Sequence, residues 1–161
     1  MKASDALVEK LKEFEGLRLT AYKAVAGEKW YTVGYGHCGA DVRRGATVTE
    51  AEAERLLRGD LARFEAGVGE LGVRVSQDQF DALVDFAYNV GLGALRKSTL
   101  LKYVRRGSTD LLIAREFMKW TRSGGVTLKG LVRRRKWEAE LFTGRELVQD
   151  EKTLRWMIKK G

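Results

Sequence analysis

The chain has 161 residues, 44% hydrophobic and 32% charged, the balance of one globular domain rather than a disordered segment. Its longest unbroken apolar run is the four residues 111–114, which excludes a membrane-spanning helix. Residues 1–10 carry Asp5 and Glu9 and no long apolar stretch, so no secretory leader and no membrane anchor are expected. A single cysteine, Cys38, excludes an intrachain disulfide and a four-thiolate zinc site. The net charge of +8 favours polyanions (nucleic acid, an anionic membrane or an acidic wall polymer) without choosing among them. The 22 acidic residues are interleaved with the 30 basic ones, and with no proline in the chain, 18 glycines must do the turning.

The first element is predicted as a helix. Ser4 suits an N-cap, Leu7, Val8, Leu11 and Phe14 recur at helical spacing, and Gly16 offers a stop. Over residues 17–48, Gly27, Gly34, Gly36, Gly39 and Gly45 punctuate stretches rich in Tyr, Trp, Thr and Val, which predicts a small sheet of hairpins. From Thr49 the chain reads as helical. Thr49 with Glu52, and Ser76 with Gln79, are capping-box patterns. The first opens a helix carrying Ala53, Leu57, Leu61 and Phe64, loosened at Gly67, Gly69 and Gly72. The second opens one carrying Phe80, Leu83, Val84 and Ala87 to Gly91. A short helix follows over 99–106, then one capped by Asp110 and running through Trp120. A Ser123-Gly124-Gly125 loop precedes a helix over 131–142 ending at Gly144, and residues 145–161 read as a basic, partly helical tail packed on the helices. The layout is α+β with segregated elements, and a cleft between the sheet and the helices is the expected ligand site.

Glu15 is the first candidate for chemistry. It lies four residues after Leu11 and joins the apolar stripe, at the C-terminal end of its helix. Desolvation and the negative end of the helix dipole both disfavour its charge, as a general acid near neutral pH requires. An ion-paired structural glutamate is the plainer alternative. In Thr32-Val33-Gly34-Tyr35-Gly36-His37, alternating glycines let backbone approach a ligand closely. A lone His37 is more often structural than catalytic. Cys38 is expected to be a buried or half-buried free thiol. Trp120, Trp137 and Phe117 are expected in the core.

Together, residues 15–22 (Glu-Gly-Leu-Arg-Leu-Thr-Ala-Tyr) and 32–37 (Thr-Val-Gly-Tyr-Gly-His) resemble the phage-type lysozymes, glycoside hydrolase family 24, the endolysins of tailed phages. Residues 79–91, Ser98-Thr99-Leu100-Leu101, and Gly130–Arg135 with Glu138 and Leu141 agree, in the same order. The resemblance implies a lysozyme-like fold over 1–161. It has an N-terminal helix and glycine-rich β lobe to about residue 48, a larger helical lobe to about 144, and a cleft between them. It also implies cleavage of the β-1,4 bond between N-acetylmuramic acid and N-acetylglucosamine in peptidoglycan, with Glu15 as general acid and Thr32 beside it. Tyr35, Gly36, Tyr88 and Asn89 would face substrate. His37 and Arg134 would support the site, Arg134 as an ion-pair partner of Glu15. No metal or cofactor is implied. The enzyme would be a monomer held in the host bacterial cytoplasm until release to the wall, binding peptidoglycan and anionic wall polymers, with no specific nucleic acid and no stable membrane insertion.

One position departs from the family pattern. That pattern is Glu, then after eight residues Asp or Cys, then after five more Thr. Here the second position is Ala24, and seven residues separate it from Thr32. Alanine can neither accept a proton nor orient water. Four readings follow. Glu28 in the longer loop replaces the base, with Asp41 a weaker substitute; Ala24 was introduced to inactivate the chain; the protein binds glycan without cleaving it; or it is a lytic transglycosylase, which needs one glutamate. A nucleic-acid binder rests on charge alone, with no recognised motif beside it.

Overall fold

The computed structural model describes residues 1–161. They form two compact units, residues 2–65 and residues 66–161, with Met1 grouped to the second. The division falls inside the second helix, beyond the change of texture near residue 48.

Residues 2–65 begin with α1 (Asp5–Glu15). The Ser4 side chain accepts from the Leu7 N–H, and Leu7, Val8 and Leu11 are buried. Gly16, at φ +71°, ends the helix and donates its N–H to the Lys12 carbonyl. Strands β1 (Arg18–Tyr22), β2 (Tyr31–Gly34) and β3 (His37–Gly39) form an antiparallel sheet in that order. Arg18 faces Gly34, Tyr22 faces Thr32 across an irregular register, and Thr32 faces Cys38. Helix α2 (Glu50–Gly69) opens on the expected reciprocal cap. Thr49 Oγ1 accepts from the Glu52 N–H, and the Glu52 carboxylate accepts from the Thr49 N–H. Gly67 and Gly69 stay within the helix rather than loosening it. Gly34 is where β2 meets α2. A Cβ there would stand 3.1 Å from the Ala53 Cβ, and its φ of +68° suits glycine.

Residues 66–161 hold α3 (Gln77–Val90), α4 (Leu92–Lys97), α5 (Thr99–Arg106), α6 (Asp110–Phe117) and α7 (Lys129–Thr143). The Ser76–Gln79 capping box forms in full, and Gly91 caps α3 as expected. Every residue from Phe80 to Ala87 is buried. Phe86 meets Phe117 and Trp120 edge-on, with centroids 5.6 and 5.3 Å apart, and Phe117 contacts Phe142. This aromatic cluster joins α3, α6 and α7.

Four expectations are corrected. The short helix α4 was not foreseen. Helix α6 stops at Phe117 instead of reaching Trp120, because the amides of Lys119 and Trp120 turn back to carbonyls three residues earlier; its cap position is Thr109, without a side-chain bond. The loop after Trp120 is a hairpin of β4 (Arg122–Ser123) and β5 (Val126–Thr127), with Gly124 and Gly125 both at positive φ in its two-residue turn. The tail is a hairpin of β6 (Leu147–Gln149) and β7 (Trp156–Ile158), not helical. Its turn is organised by Asp150, whose Oδ1 accepts from the amides of Lys152 and Thr153 and from the Thr153 hydroxyl. The tail does pack on the helices. Leu147 is buried and donates its N–H to Glu140, and Arg115 of α6 donates to the Trp156 carbonyl.

The Gly34 contact gives a stability test. Gly34→Ala combines overpacking with an unfavourable φ, so it should cost roughly 1–3 kcal/mol in urea unfolding. Gly93→Ala, in α4 with nothing within 4 Å of the new Cβ, should cost nothing or stabilise by up to about 1 kcal/mol.

Candidate active site

Residues 2–65 hold most of the candidate side chains. Glu15 is the last residue of α1 and is half-buried. Its carboxylate lies against Gly36. A Cβ built on Gly36 would stand 3.6 Å from Glu15 Oε2, and Gly36 has φ +86°. The backbone after β2 therefore passes directly beside this carboxyl group. Thr32 is buried on β2, and its register neighbours are Tyr22 and Cys38. Tyr35 is only 5% exposed, and Lys12 Nζ sits 5.9 Å from its ring centroid, so the ring packs rather than offering a face to a sugar. Burial pushes its phenol upward.

The Lys23–Trp30 loop carries the departure at residue 24. Ala24 is exposed, and its backbone N–H donates to the Glu28 carboxylate at 3.0 Å. The Glu28 N–H in turn donates to the Val25 carbonyl, closing a turn. The two extra residues fold the loop back on itself. The Glu28 carboxylate is thereby held against the backbone of residue 24, whose own side chain has no acid or base.

His37 is held from both sides. Its Nδ1 is 2.9 Å from both carboxylate oxygens of Asp60, and its Nε2 is 2.8 Å from Asp41 Oδ2. Burial opposes its protonation, but the bonds to Asp41 and Asp60 outweigh burial and raise its pKa. The same contact holds Asp41 below the usual carboxylate range, and it occupies the weaker candidate for a substitute base. Cys38 is exposed, not buried. Along β3 the faces alternate, and His37 and Gly39 take the inner one.

In residues 66–161, Asn89 accepts from Arg135 Nη2 and lines an open cavity of about 260 Å³ with Val90, Trp120, Arg122, Ser123 and Leu131. Tyr88 is half-buried one residue earlier on α3. Arg134 is buried and makes a forked pair with Asp85, Nε and Nη2 donating at 3.0 and 2.8 Å. Arg135 and Glu138 are fully buried, with Nε and Oε2 3.2 Å apart but not aligned for a hydrogen bond, and the Arg135 guanidinium lies 5.0 Å over the Phe86 ring. Burial, then the nearby Asp85 carboxylate, push Glu138 well above the usual range, and burial pulls the Arg135 guanidinium down.

The sequence reading missed Asp60 and Asp85. Asp60 gave no local signal, being one charged residue among many on α2. Asp85 gave one: it lies four residues after Asp81 inside the apolar run of α3, where an unpaired charge would be costly.

Comparison with known proteins adds the following. Residues 12–138 match the family model described as phage lysozyme. The chain is 54% identical over 143 residues to an endolysin of Bacillus phage B103, covering 88% of this chain and 54% of that protein. It is 40% identical over 137 residues to an endolysin of Acyrthosiphon pisum secondary endosymbiont phage 1, covering 82% of this chain and 91% of that protein. The chain thus spans about half the length of the Bacillus phage relatives. Among solved structures, the muramidase domain of SpmX from Asticaccaulis excentricus aligns with a TM-score of 0.79 at 39% identity, covering 88% of this chain and 97% of that one. The endolysin of Escherichia coli O157:H7 phage FAHEc1 aligns with a TM-score of 0.79 at 35% identity, covering 88% and 93%. No helix is long and apolar enough to cross a membrane.

The His37 contacts predict a pH effect. A raised histidine pKa stabilises the fold fully below the ordinary value of about 6.5, and that contribution is lost as pH rises through the raised value. The unfolding midpoint should therefore fall as pH climbs above about 6.5. His37→Asn should flatten this part of the profile, and an unaltered profile in the variant would refute it.

Proposed function

Because the chain belongs to the phage lysozyme family, we propose that it is a muramidase that hydrolyses the β-1,4 bond between N-acetylmuramic acid and N-acetylglucosamine in peptidoglycan, with Glu15 as general acid and Glu28 as base. The observation that carries this reading is the bond from the Ala24 amide to the Glu28 carboxylate, which holds a proton acceptor at the backbone of a residue whose side chain supplies none. The names of two relatives favour the same chemistry, one a muramidase domain and the other an endolysin.

The steps follow from these groups. Glu15 donates its proton to the glycosidic oxygen as the bond from that oxygen to the anomeric carbon breaks. Water attacks the same carbon, and its proton passes to Glu28. The Thr32 hydroxyl orients that water but is too weak an acid or base to replace a carboxylate near neutral pH. Gly36 keeps the approach to Glu15 open, since any side chain there would occupy the space beside the carboxyl group. Within residues 66–161, Asn89 is oriented by its bond to Arg135. The reaction needs carboxyl chemistry and water only. The protein acts as a monomer and reaches the wall after release from the host cytoplasm.

Mass spectrometry of products from purified peptidoglycan tests the assignment. The unaltered chain should yield reducing muropeptides. Glu15→Gln and Glu28→Gln should each lower the rate about 10²–10⁴-fold, the usual worth of a positioned proton donor or acceptor. Ala24→Asp in the Glu28→Gln background should restore part of it. Full activity in Glu28→Gln would remove Glu28 from the mechanism. Anhydro products would make the protein a transglycosylase. Saturable binding without release of any product would make it a glycan-binding module.

A further inference from the structure

The excess positive charge is confined to one unit. Residues 2–65 hold 11 Lys and Arg against 11 Asp and Glu, so the whole net charge of +8 belongs to residues 66–161, which hold 19 against 11. Within that unit the buried cations are matched, Arg134 by Asp85 and Arg135 by Glu138. Several nearer the surface are matched as well, Lys119 by Glu116, Lys136 by Glu140 and Lys159 by Glu146, but those on α4 and α5 are largely not. Between Asp85 and Asp110 there is no acidic residue, but there are five exposed cations: Arg96, Lys97, Lys102, Arg105 and Arg106. Of these only Arg96 approaches a carboxylate, Glu70, at 3.8 Å.

Helix α5 sorts its residues sharply. Leu100 and Leu101 are buried, while Lys102, Arg105 and Arg106, three and four apart, share the exposed side. Arg74, outside any helix, stands with Arg105 on the wall of a cavity of about 250 Å³. Arg105 is fixed there by donating Nη2 to the Leu71 carbonyl at 3.1 Å. The helix dipole accounts for Arg105 and Arg106 in the last turn. It does not account for Lys102, a turn earlier, or for Arg74. Cations held at these spacings repel one another, and no internal carboxylate relieves them.

We propose that the cationic side of α5, with Arg74 across the cavity, is a docking surface for a wall-borne phosphodiester polymer, a chain of polyol phosphates attached to the glycan. The choice of a wall polymer rests on the muramidase reading; the cationic surface does not. The neighbouring residues exclude the other polyanions. No large hydrophobic side chain is exposed between Trp30 and Leu112. The surface therefore offers no fully exposed aromatic face on which nucleobases could stack, Tyr103 being half-buried, and no exposed apolar wedge for a bilayer. A polyol phosphate offers only regularly spaced charge on a flexible chain, and bare cations suffice for it.

Titration of the full chain with poly(glycerol phosphate), over a range of salt concentrations, tests the proposal. The triple variant Arg74→Gln, Lys102→Gln, Arg106→Gln leaves Arg105 and its backbone bond in place. At about 0.1 M salt it should bind about tenfold more weakly, and the slope of log affinity against log salt should shrink by about two for three released counterions. The charge-matched variant Arg43→Gln, Arg44→Gln, Lys160→Gln should stay within about twofold of the unaltered chain. Circular dichroism verifies folding; if the triple variant does not fold, Lys102→Gln and Arg74→Gln alone should each weaken binding about twofold. Equal loss in both triple variants, no binding by the unaltered chain, or equally tight binding of an oligonucleotide by the same face would overturn the proposal. Walls stripped of phosphate polymer separate this from the catalytic reading. The unaltered chain and the triple variant should release reducing ends from them at the same rate. No release by either would sink the muramidase assignment while leaving the binding result intact.

Discussion

Two of the three positions in residues 34–36 reject a side chain, Gly34 by its close approach to α2 and both glycines by their left-handed φ. Gly34 abuts Ala53 of α2, and Gly36 lies under the Glu15 carboxylate, both with left-handed φ. The residue between them, Tyr35, is thereby pressed into the interior. The candidate acid gains a wall of bare backbone, and the sheet gains a fixed distance from α2. Charge supports the same arrangement. Lys12 of α1 reaches Glu54 of α2 at 2.5 Å, Glu54 reaches Arg58, and Arg58 reaches back to Asp5 at the start of α1. The hydrogen bonds it donates to the Glu54 and Glu9 carboxylates hold the Lys12 ammonium above its ordinary range, so it stays charged across neutral pH.

The two units treat charge differently. In residues 2–65 cations and carboxylates are equal in number, and the pairs lie near the surface, where each contributes little alone. In residues 66–161 ions are taken fully inside. The Arg134–Asp85 fork satisfies both partners with aligned bonds. The Arg135–Glu138 pair is less well matched, and Arg135 makes up the difference with Asn89 and the Phe86 face. Such a cluster contributes orientation more than net stability, since desolvation cancels much of the attraction. Its link to Asn89 connects buried electrostatics with the cavity at the end of α3.

Much of the fold was legible because its signals are local. The caps at Ser4, Thr49 and Ser76 and the stops at Gly16, Gly91 and Gly144 depend on one or two residues each, and they formed as read. The tail hairpin was not legible, because its turn has no glycine; Asp150 and Leu154 at φ +58° do that work. The two-residue Gly124-Gly125 turn was read as a loop because its strands are only two residues long. For the site, Glu15 and the glycine pair could be read from spacing. Asp60 could not, and Asp85 stood out as a charge in an apolar run but without its partner, because each is joined to its histidine or arginine across a long sequence separation that only folding closes. Glu28 was nameable as a substitute, but its bond to residue 24 depends on how the loop turns.

The exposure of Cys38 has a practical consequence. It is the chain's only thiol, it lies on an outer face, and its ladder partner is Thr32. A thiol-reactive fluorophore or spin label would therefore attach at one position in the unaltered protein, one strand away from the candidate water-orienting hydroxyl, and report on the sheet without any engineered cysteine. The same accessibility permits two copies to join covalently in aerated buffer. A species of doubled mass in the absence of reductant would then reflect oxidation of this side chain and say nothing about self-association.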